Sequence, residues 1–490
     1  MSASEVPTAV DSSPLQSIPI EILRQVFVAG YPVIDIRRPE SFVGRLSAVC
    51  FQWRSAIINT PELWSDIDLS FDSSIEQMHS SSASNHLPKS VNLLVDLILQ
   101  RSKRYPLSIR FEPTACFASI ASVMARLLAH SKRWIRASFN CQIITTYYGG
   151  FPLSQSFNNL QSLTLEGPGR FTMLCKPPKL RKLTITSFQM VTPSDLNVPW
   201  DRLASLTISI SDALIHYLPS LWRATTQLDA LDITLLALQG GRRPASASFS
   251  GAHQVDLPAL STFKLVSTLD QSANILLQTI KARNLNILSL CNAPGPPSVS
   301  RRRSHNLRSE DLKCVSNFLG RSDCQLQQFQ IFGFDKTTSY SILALEGIKT
   351  VNRIHLSGIW GSEELLRDLS RYSLEANIVD MLPNLEHITL SHMDWVEMDS
   401  LVETVVKFLC SRLYVSNPYP DKDSKTCGYR YLKQATISDT WMVRRIVSRL
   451  QEELPPWSFS WDFHAFDWGK PVLSYQYRMS LVAEVETPKA

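Results

Sequence analysis

No stretch of this 490-residue chain is apolar for long enough to cross a bilayer. The nearest approach, Val91 to Leu99, is short and carries Asp96. The first twenty residues have neither the basic start nor the apolar core of a secretory signal. No C-x-x-C pair occurs among the nine scattered cysteines, which argues for reduced, buried thiols and against a disulfide framework. These absences predict a soluble protein of the cytoplasm and/or nucleus, with no membrane partner. Charge is sparse as well. Only 19% of residues are charged, the net is +5 and no long basic stripe runs along the chain, so a dedicated nucleic-acid binder is not expected. Catalytic signatures are also missing: no G-x-S-x-G, no H-E-x-x-H, no P-loop and no G-x-G-x-x-G. His387 and His392, five apart, and Cys314 and Cys324, ten apart, match no zinc pattern. The expectation is a chain without metal, cofactor or catalytic centre of its own.

What the sequence has is hydrophobic residues, 44% of the total, enough for an extensive core. At this length a single compact domain is disfavoured, unless it is a repeat array that grows in one direction. A hexad with apolar residues at positions 1, 4 and 6 recurs along the chain. It reads LQSLTL from Leu160, LRKLTI from Leu180, LASLTI from Leu203, LDALDI from Leu228 and LSTFKL from Leu260. Further copies are LNILSL from Leu285, LQQFQI from Leu326, VNRIHL from Val351 and LEHITL from Leu385. The bare pattern would arise about eighteen times by chance in a chain this long, and about twice once the intervening positions must be polar. Six of the nine copies meet the stricter test, so the enrichment is real. Spacings of 20 to 41 residues fit one strand plus one return per unit. Helical returns are expected at SANILLQTIKA before Arg283 and SEDLKCVSNFLG before Arg321.

Two Gly/Pro/Ser-rich stretches, from Gln239 and from Asn292, read as exposed insertions, the second carrying Arg301 to Arg303 in a solvated loop. Near the end, Trp457, Phe459, Trp461 and Phe463 alternate with period two, predicting one or two aromatic strands. The fold class expected is α/β, a small helical N-terminal domain followed by an irregular solenoid with a parallel inner sheet. The expected divisions are a tail at 1–13, a helical domain at 14–70, a Ser-rich linker at 71–90, the solenoid at 91–455 and an aromatic cap at 456–490.

The helical domain has its own signature. Pro19 and Glu21 suit the first turn of a helix, and Ile22, Leu23, Val26 and Phe27 form one apolar stripe that Gly30 and Pro32 end. A second helical stretch is read from Glu40 to Ile58, closed by Pro61, with Leu63 and Trp64 following. Residues 15–64 resemble the F-box motif. Its opening is matched by Ile18, Pro19, Glu21, Ile22, Leu23, Val26 and Phe27, and its second half by Leu46, Val49, Cys50, Trp53, Arg54, Pro61, Leu63 and Trp64. Ile18 stands where the family usually has leucine, and the connection Val28 to Arg38 is longer than usual. With its repeating body, the chain resembles the F-box/leucine-rich-repeat-like proteins seen in fungi.

That resemblance implies the substrate receptor of a Skp–cullin–F-box ubiquitin ligase. Ile18, Pro19, Ile22, Leu23, Val26, Leu46, Val49, Cys50 and Trp53 would then contact a Skp-type adaptor, and through it a cullin. The alternative is a scaffold whose F-box-like helices cap the solenoid, or bind the adaptor without ligase function. If the solenoid holds, the polar hexad positions would face its concave side and a protein target: Ser162, Thr164, Lys182, Thr184, Asp232, Lys264, Gln328, Gln330, Arg353, His355 and His387. This set is mixed in charge and does not name the ligand. Nor does the body carry the Asn or Cys that standard leucine-rich repeats place after the strand, where Pro168, Ser211 and Met393 stand instead.

Overall fold

A computed structural model describes residues 18–30, 34–35, 42–69, 89–112, 120–140, 157–167, 177–188, 197–236, 254–267, 271–292, 309–359, 361–370, 372–373, 378–379, 382–392, 398–413, 432–437, 440–453, 460–466 and 474–480. The tail, nearly all of the linker and both Gly/Pro/Ser-rich insertions lie outside them. The chain divides into two compact units, Met1–Leu203 and Ala204–Ala490. Both are mixed α/β, and in both the hexads form parallel strands.

In the first unit the helices are α1 (Ile20–Gly30), α2 (Phe42–Ser47), α3 (Phe51–Ile58), α4 (Lys89–Arg101) and α5 (Ile120–Leu128). The strands are β1 (Ile34–Asp35), β2 (Asp66–Asp68), β3 (Leu107–Phe111), β4 (Trp134–Asn140), β5 (Ser162–Glu166) and β6 (Lys182–Phe188), each parallel to the next. The stretch read as one helix from Glu40 to Ile58 is two. Cys50 is extended (φ −158°, ψ 170°) and caps α3, while Ala48 and Val49 close a tight turn on the carbonyls of Arg45 and Leu46. The apolar spacing runs through this kink unbroken, which is why periodicity alone misses it. The parallel ladder also starts earlier than expected: β1 and β2 lie inside residues 14–70, and Ile34 is registered on Ile67. Trp64 ties the helices to this sheet, donating its indole N–H to the Ile57 carbonyl at 2.9 Å beneath the Arg101 guanidinium, 4.4 Å above its ring.

The second unit continues the numbering with β7 (Ser205–Ser211), α6 (Leu218–Ala224), β8 (Ala230–Leu236), β9 (Val255–Asp256) and β10 (Thr262–Val266). Then come α7 (Gln271–Thr279), β11 (Ile280–Lys281), β12 (Ile287–Cys291), α8 (Ser309–Ser322), β13 (Gln328–Phe332), α9 (Lys336–Leu343) and β14 (Arg353–Ser357). Last are α10 (Ser362–Leu369), β15 (Tyr372–Ser373), β16 (Ile378–Val379), β17 (His387–Ser391), α11 (Met398–Leu413), β18 (Gln434–Ile437), α12 (Thr440–Glu453), β19 (Ser460–Phe466) and β20 (Ser474–Ser480). Strands β7, β8, β10, β12, β13, β14, β17 and β18 pair in parallel in that order. The two strands of the aromatic C-terminal stretch add antiparallel, β20 on β18 and β19 on β20.

All nine hexads are strands, and within each unit their registers coincide residue for residue. Thr262, Ile287, Gln328, Arg353 and His387, each at position 3, are successive cross-strand partners. Positions 4 and 6 point into the core, where Phe263, Leu288, Phe329, Ile354 and Ile388 are buried. Helices close that side: Phe318 of α8 meets Phe263 edge-on at 5.8 Å.

Two hydrogen-bond devices hold neighbouring repeats at this register. The carbonyl at position 2 accepts the N–H groups of positions 2 and 3 of the next repeat, as Asn352 does from Glu386 and His387 at 2.8 and 2.9 Å. The residue just before the hexad reaches back to the preceding repeat. Asn159, Asn284 and Asn384 donate their amides to the carbonyls of Lys132, Pro258 and Lys349 at 2.8, 2.7 and 3.1 Å. Three asparagines thus tie their repeats to the preceding one where the chain enters the strand and not after it. On the leaving side, position 8 adopts a left-handed backbone at Gly167, Gly333, Gly358 and His392.

Candidate functional site

Two surfaces collect the residues singled out in the sequence. The first is formed by α1 and the α2–α3 junction. Pro19, Ile22, Val26 and Val49 are exposed, Ile22 at 47%, Val26 at 58% and Val49 at 57%. Ile18, Leu46, Cys50 and Trp53 are half-buried. Leu23 corrects the expectation: at 2% exposure it belongs to the core with Phe27, one helical turn on, and cannot meet a partner. Trp53 sets its ring edge-on to Phe27 at 5.1 Å, so it joins α3 to α1 as well as reaching the surface. Gln52 adds a second tie, donating to the Ile18 carbonyl at 3.1 Å. The residue that periodicity missed is Phe51, 84% exposed. It was overlooked because the apolar stripe was drawn through an unbroken helix. With α3 starting afresh at the Cys50 cap, Phe51 stands in its first turn beside Val49 and outside the Ala56–Ile57 core.

The second surface is the polar face of the sheet, described unit by unit. In the first unit Thr164 and Thr184 are cross-strand neighbours, and Lys182 lies beside Ser162. Three strands outside the nine hexads, β2, β3 and β4, extend this face with stronger chemistry. Arg136 lies 3.7 Å from the Asp66 carboxylate, Arg110 lies 3.7 Å from Asp68 and 3.6 Å from Glu112, and Ser138 donates to Glu112 at 2.7 Å. Burial raises the Asp66 pKa against the pull of Arg136, and burial together with nearby Glu112 raises that of Glu166. A signal was present: WSDIDL from Trp64 and WIRASF from Trp134 keep the hexad with tryptophan at position 1.

In the second unit Asp232 and Lys264 form an ion pair at 3.1 Å. Gln328, Arg353, His387 and Gln434 are successive neighbours in one row, and Gln330, His355 and Thr389 in the next. Gln434 was missed because its hexad, LKQATI from Leu432, has alanine at position 4. The His387 ring meets the Gln434 amide oxygen at 3.2 Å, and the His355 ring meets the Ser391 hydroxyl at 2.8 Å and the Phe332 edge at 4.9 Å. Burial lowers the pKa of both histidines, helped by His392 for His355 and by Arg353 for His387. Both rings are therefore biased toward the neutral form.

Among the described residues no cluster of His, Cys, Asp and Glu could hold a metal ion, and no helix is long and apolar enough to cross a membrane. Both surfaces offer contacts, one apolar and one polar. Comparison with protein-family models and with curated proteins finds no match to this chain.

Proposed function

We propose that the chain is a non-catalytic target receptor of a Skp–cullin–F-box ubiquitin ligase. Its N-terminal helices dock on a Skp-type adaptor, its polar sheet face holds a protein target, and other subunits supply catalysis. One observation carries the reading: Ile22, Val26, Val49 and Phe51 stay exposed in a small block whose own core is already filled by Leu23, Phe27, Ala56 and Ile57. Covering such a side chain releases roughly 1.5–3 kcal/mol, so four together can anchor an interface. The F-box-like order of residues 15–64 then names the kind of partner.

The pairing of β1 with β2, and of Trp64 with Arg101, favours the second reading, in which these helices only cap the sheet. Capping accounts for the buried residues. It leaves the exposed ones without a role.

The test is co-purification with a Skp-type adaptor, using the parent and a triple variant Ile22→Ala, Val49→Ala, Phe51→Ala. All three side chains are exposed, so the variant should unfold at the parent's temperature while losing capture. A parent that captures no adaptor would leave the capping reading as the working one.

A further inference from the structure

We infer that the polar face of the second unit recognises an acidic peptide segment, with Arg353 as the residue that selects it; this rests on the receptor reading given above. The argument begins with the charges on that face. Asp232 is paired with Lys264 at 3.1 Å, and Glu386 with Lys433 at 3.2 Å. Asp229 accepts the Ser261 hydroxyl. Arg353 is exposed on its strand, and no carboxylate among the described residues pairs with it. Once the two ion pairs cancel, Arg353 is the one cation left among the described charges of this face; the Asp229 carboxylate keeps its charge four strands away, just before β8.

Its surroundings are those of a polar recognition surface. Gln328 and His387 are its cross-strand partners, Gln330 and His355 hold the adjacent row, and Gln434 lies one strand beyond His387. With strands roughly 4.8 Å apart, the Gln328–Gln434 row extends about 14 Å, the length of four or five extended residues. The amides of Gln328 and Gln330 have no partner among the described residues, so both can donate and accept. The imidazoles of His355 and His387 are already hydrogen-bonded and biased toward neutrality, so they add little repulsion against a cation and offer no competing anion.

Anything that docks here strips water from Arg353. A neutral or basic segment leaves that charge desolvated and unpaired, which is costly. A segment with Asp or Glu offsets the loss through a two-point guanidinium–carboxylate contact, a geometry lysine would not supply. Charge complementarity therefore chooses the occupant.

The experiment is fluorescence anisotropy on the full chain, without any adaptor, using labelled hexaglutamate and hexaglutamine peptides. Hexaglutamate should bind and hexaglutamine should not. Arg353→Gln should weaken hexaglutamate binding on the order of tenfold or more, and Arg353→Lys should recover only part of it. Lys407→Gln, which removes an exposed lysine of α11, should leave it unchanged. Equal binding of the two peptides, indifference to Arg353→Gln, or an equal loss with Lys407→Gln would each overturn the inference. An Arg353-dependent preference for a phosphoserine peptide over hexaglutamate would overturn the carboxylate assignment in favour of phosphate. Adaptor capture through α1 and α3 is read in a separate assay, so failure here leaves that result standing.

Discussion

The left-handed residue at position 8 is where single side chains carry most conformational weight. At Gly358 the backbone has φ +62°, and a Cβ would meet only ordinary contacts with Gly333, so backbone strain and not crowding sets the cost. Gly358→Ala should lose about 1–2 kcal/mol in urea unfolding. His392 adopts φ 48° without being glycine, so His392→Gly should gain up to ~1 kcal/mol, net of glycine's entropy cost. Asp66 makes a complementary electrostatic case. Its pKa is raised in the folded state, so the folded chain holds the proton more tightly than the unfolded one. The resulting stability is present in acid and is lost as pH rises through the folded pKa. Asp66→Asn should therefore raise the melting temperature at neutral pH and change it little near pH 3.

At the scale of elements, α1 separates two roles within one turn. Leu23 faces the core and Ile22 faces out, so Leu23→Ala should cost about 2–5 kcal/mol while Ile22→Ala leaves stability nearly unchanged. Guanidinium titrations of the two variants compare them directly. Each entering asparagine joins its repeat to the previous one through a side chain on an irregular turn. Asn284→Ala should leave the Pro258 carbonyl without its donor and cost about 1 kcal/mol, more than alanine at an exposed strand position such as Gln328. Helix ends add local support: the Asp335 side chain caps α9 by accepting the Thr338 N–H at 3.0 Å.

At the scale of the whole molecule, acid should weaken the fold through its histidines. His130, His355 and His387 all have lowered pKa values in the folded chain, each chiefly because of burial. The unfolded chain then binds protons that the folded one resists. Stability should fall as pH drops below the ordinary histidine value of about 6.5 toward the lowered folded values. Thermal unfolding followed from pH 7.5 to 5 should show that decline, and His355→Gln should flatten part of it. A pH-independent midpoint across this range would mean these half-buried rings do not control the acid response.

The hexad alone was sufficient to locate nine strands, because position 4 and position 6 alternate with polar neighbours and the strand period is two. It also sorted the faces: Phe329 and Ile331 are buried, and Gln328 and Gln330 lie on the polar side. Copies beginning with tryptophan, or carrying alanine at position 4, escaped because those residues break a leucine template while still filling the core. The helical block was legible as a signature of residue types. Its kink was not, because apolar spacing survives a tight turn, and so Phe51 stayed hidden; Leu23 was given to the surface because the apolar stripe of α1 does not say which of its members face the core. What only the tertiary structure decided is cross-strand adjacency: which repeats lie side by side, that Lys264 neutralises Asp232 and Lys433 neutralises Glu386, and that Arg353 is left over. Adjacency of that kind comes from register between strands 20 to 47 residues apart, set by the carbonyl at position 2 and, at three repeats, by the asparagine before the hexad. A local pattern dictates which way a side chain points. Its partner across the sheet is chosen by hydrogen bonds that the pattern does not contain.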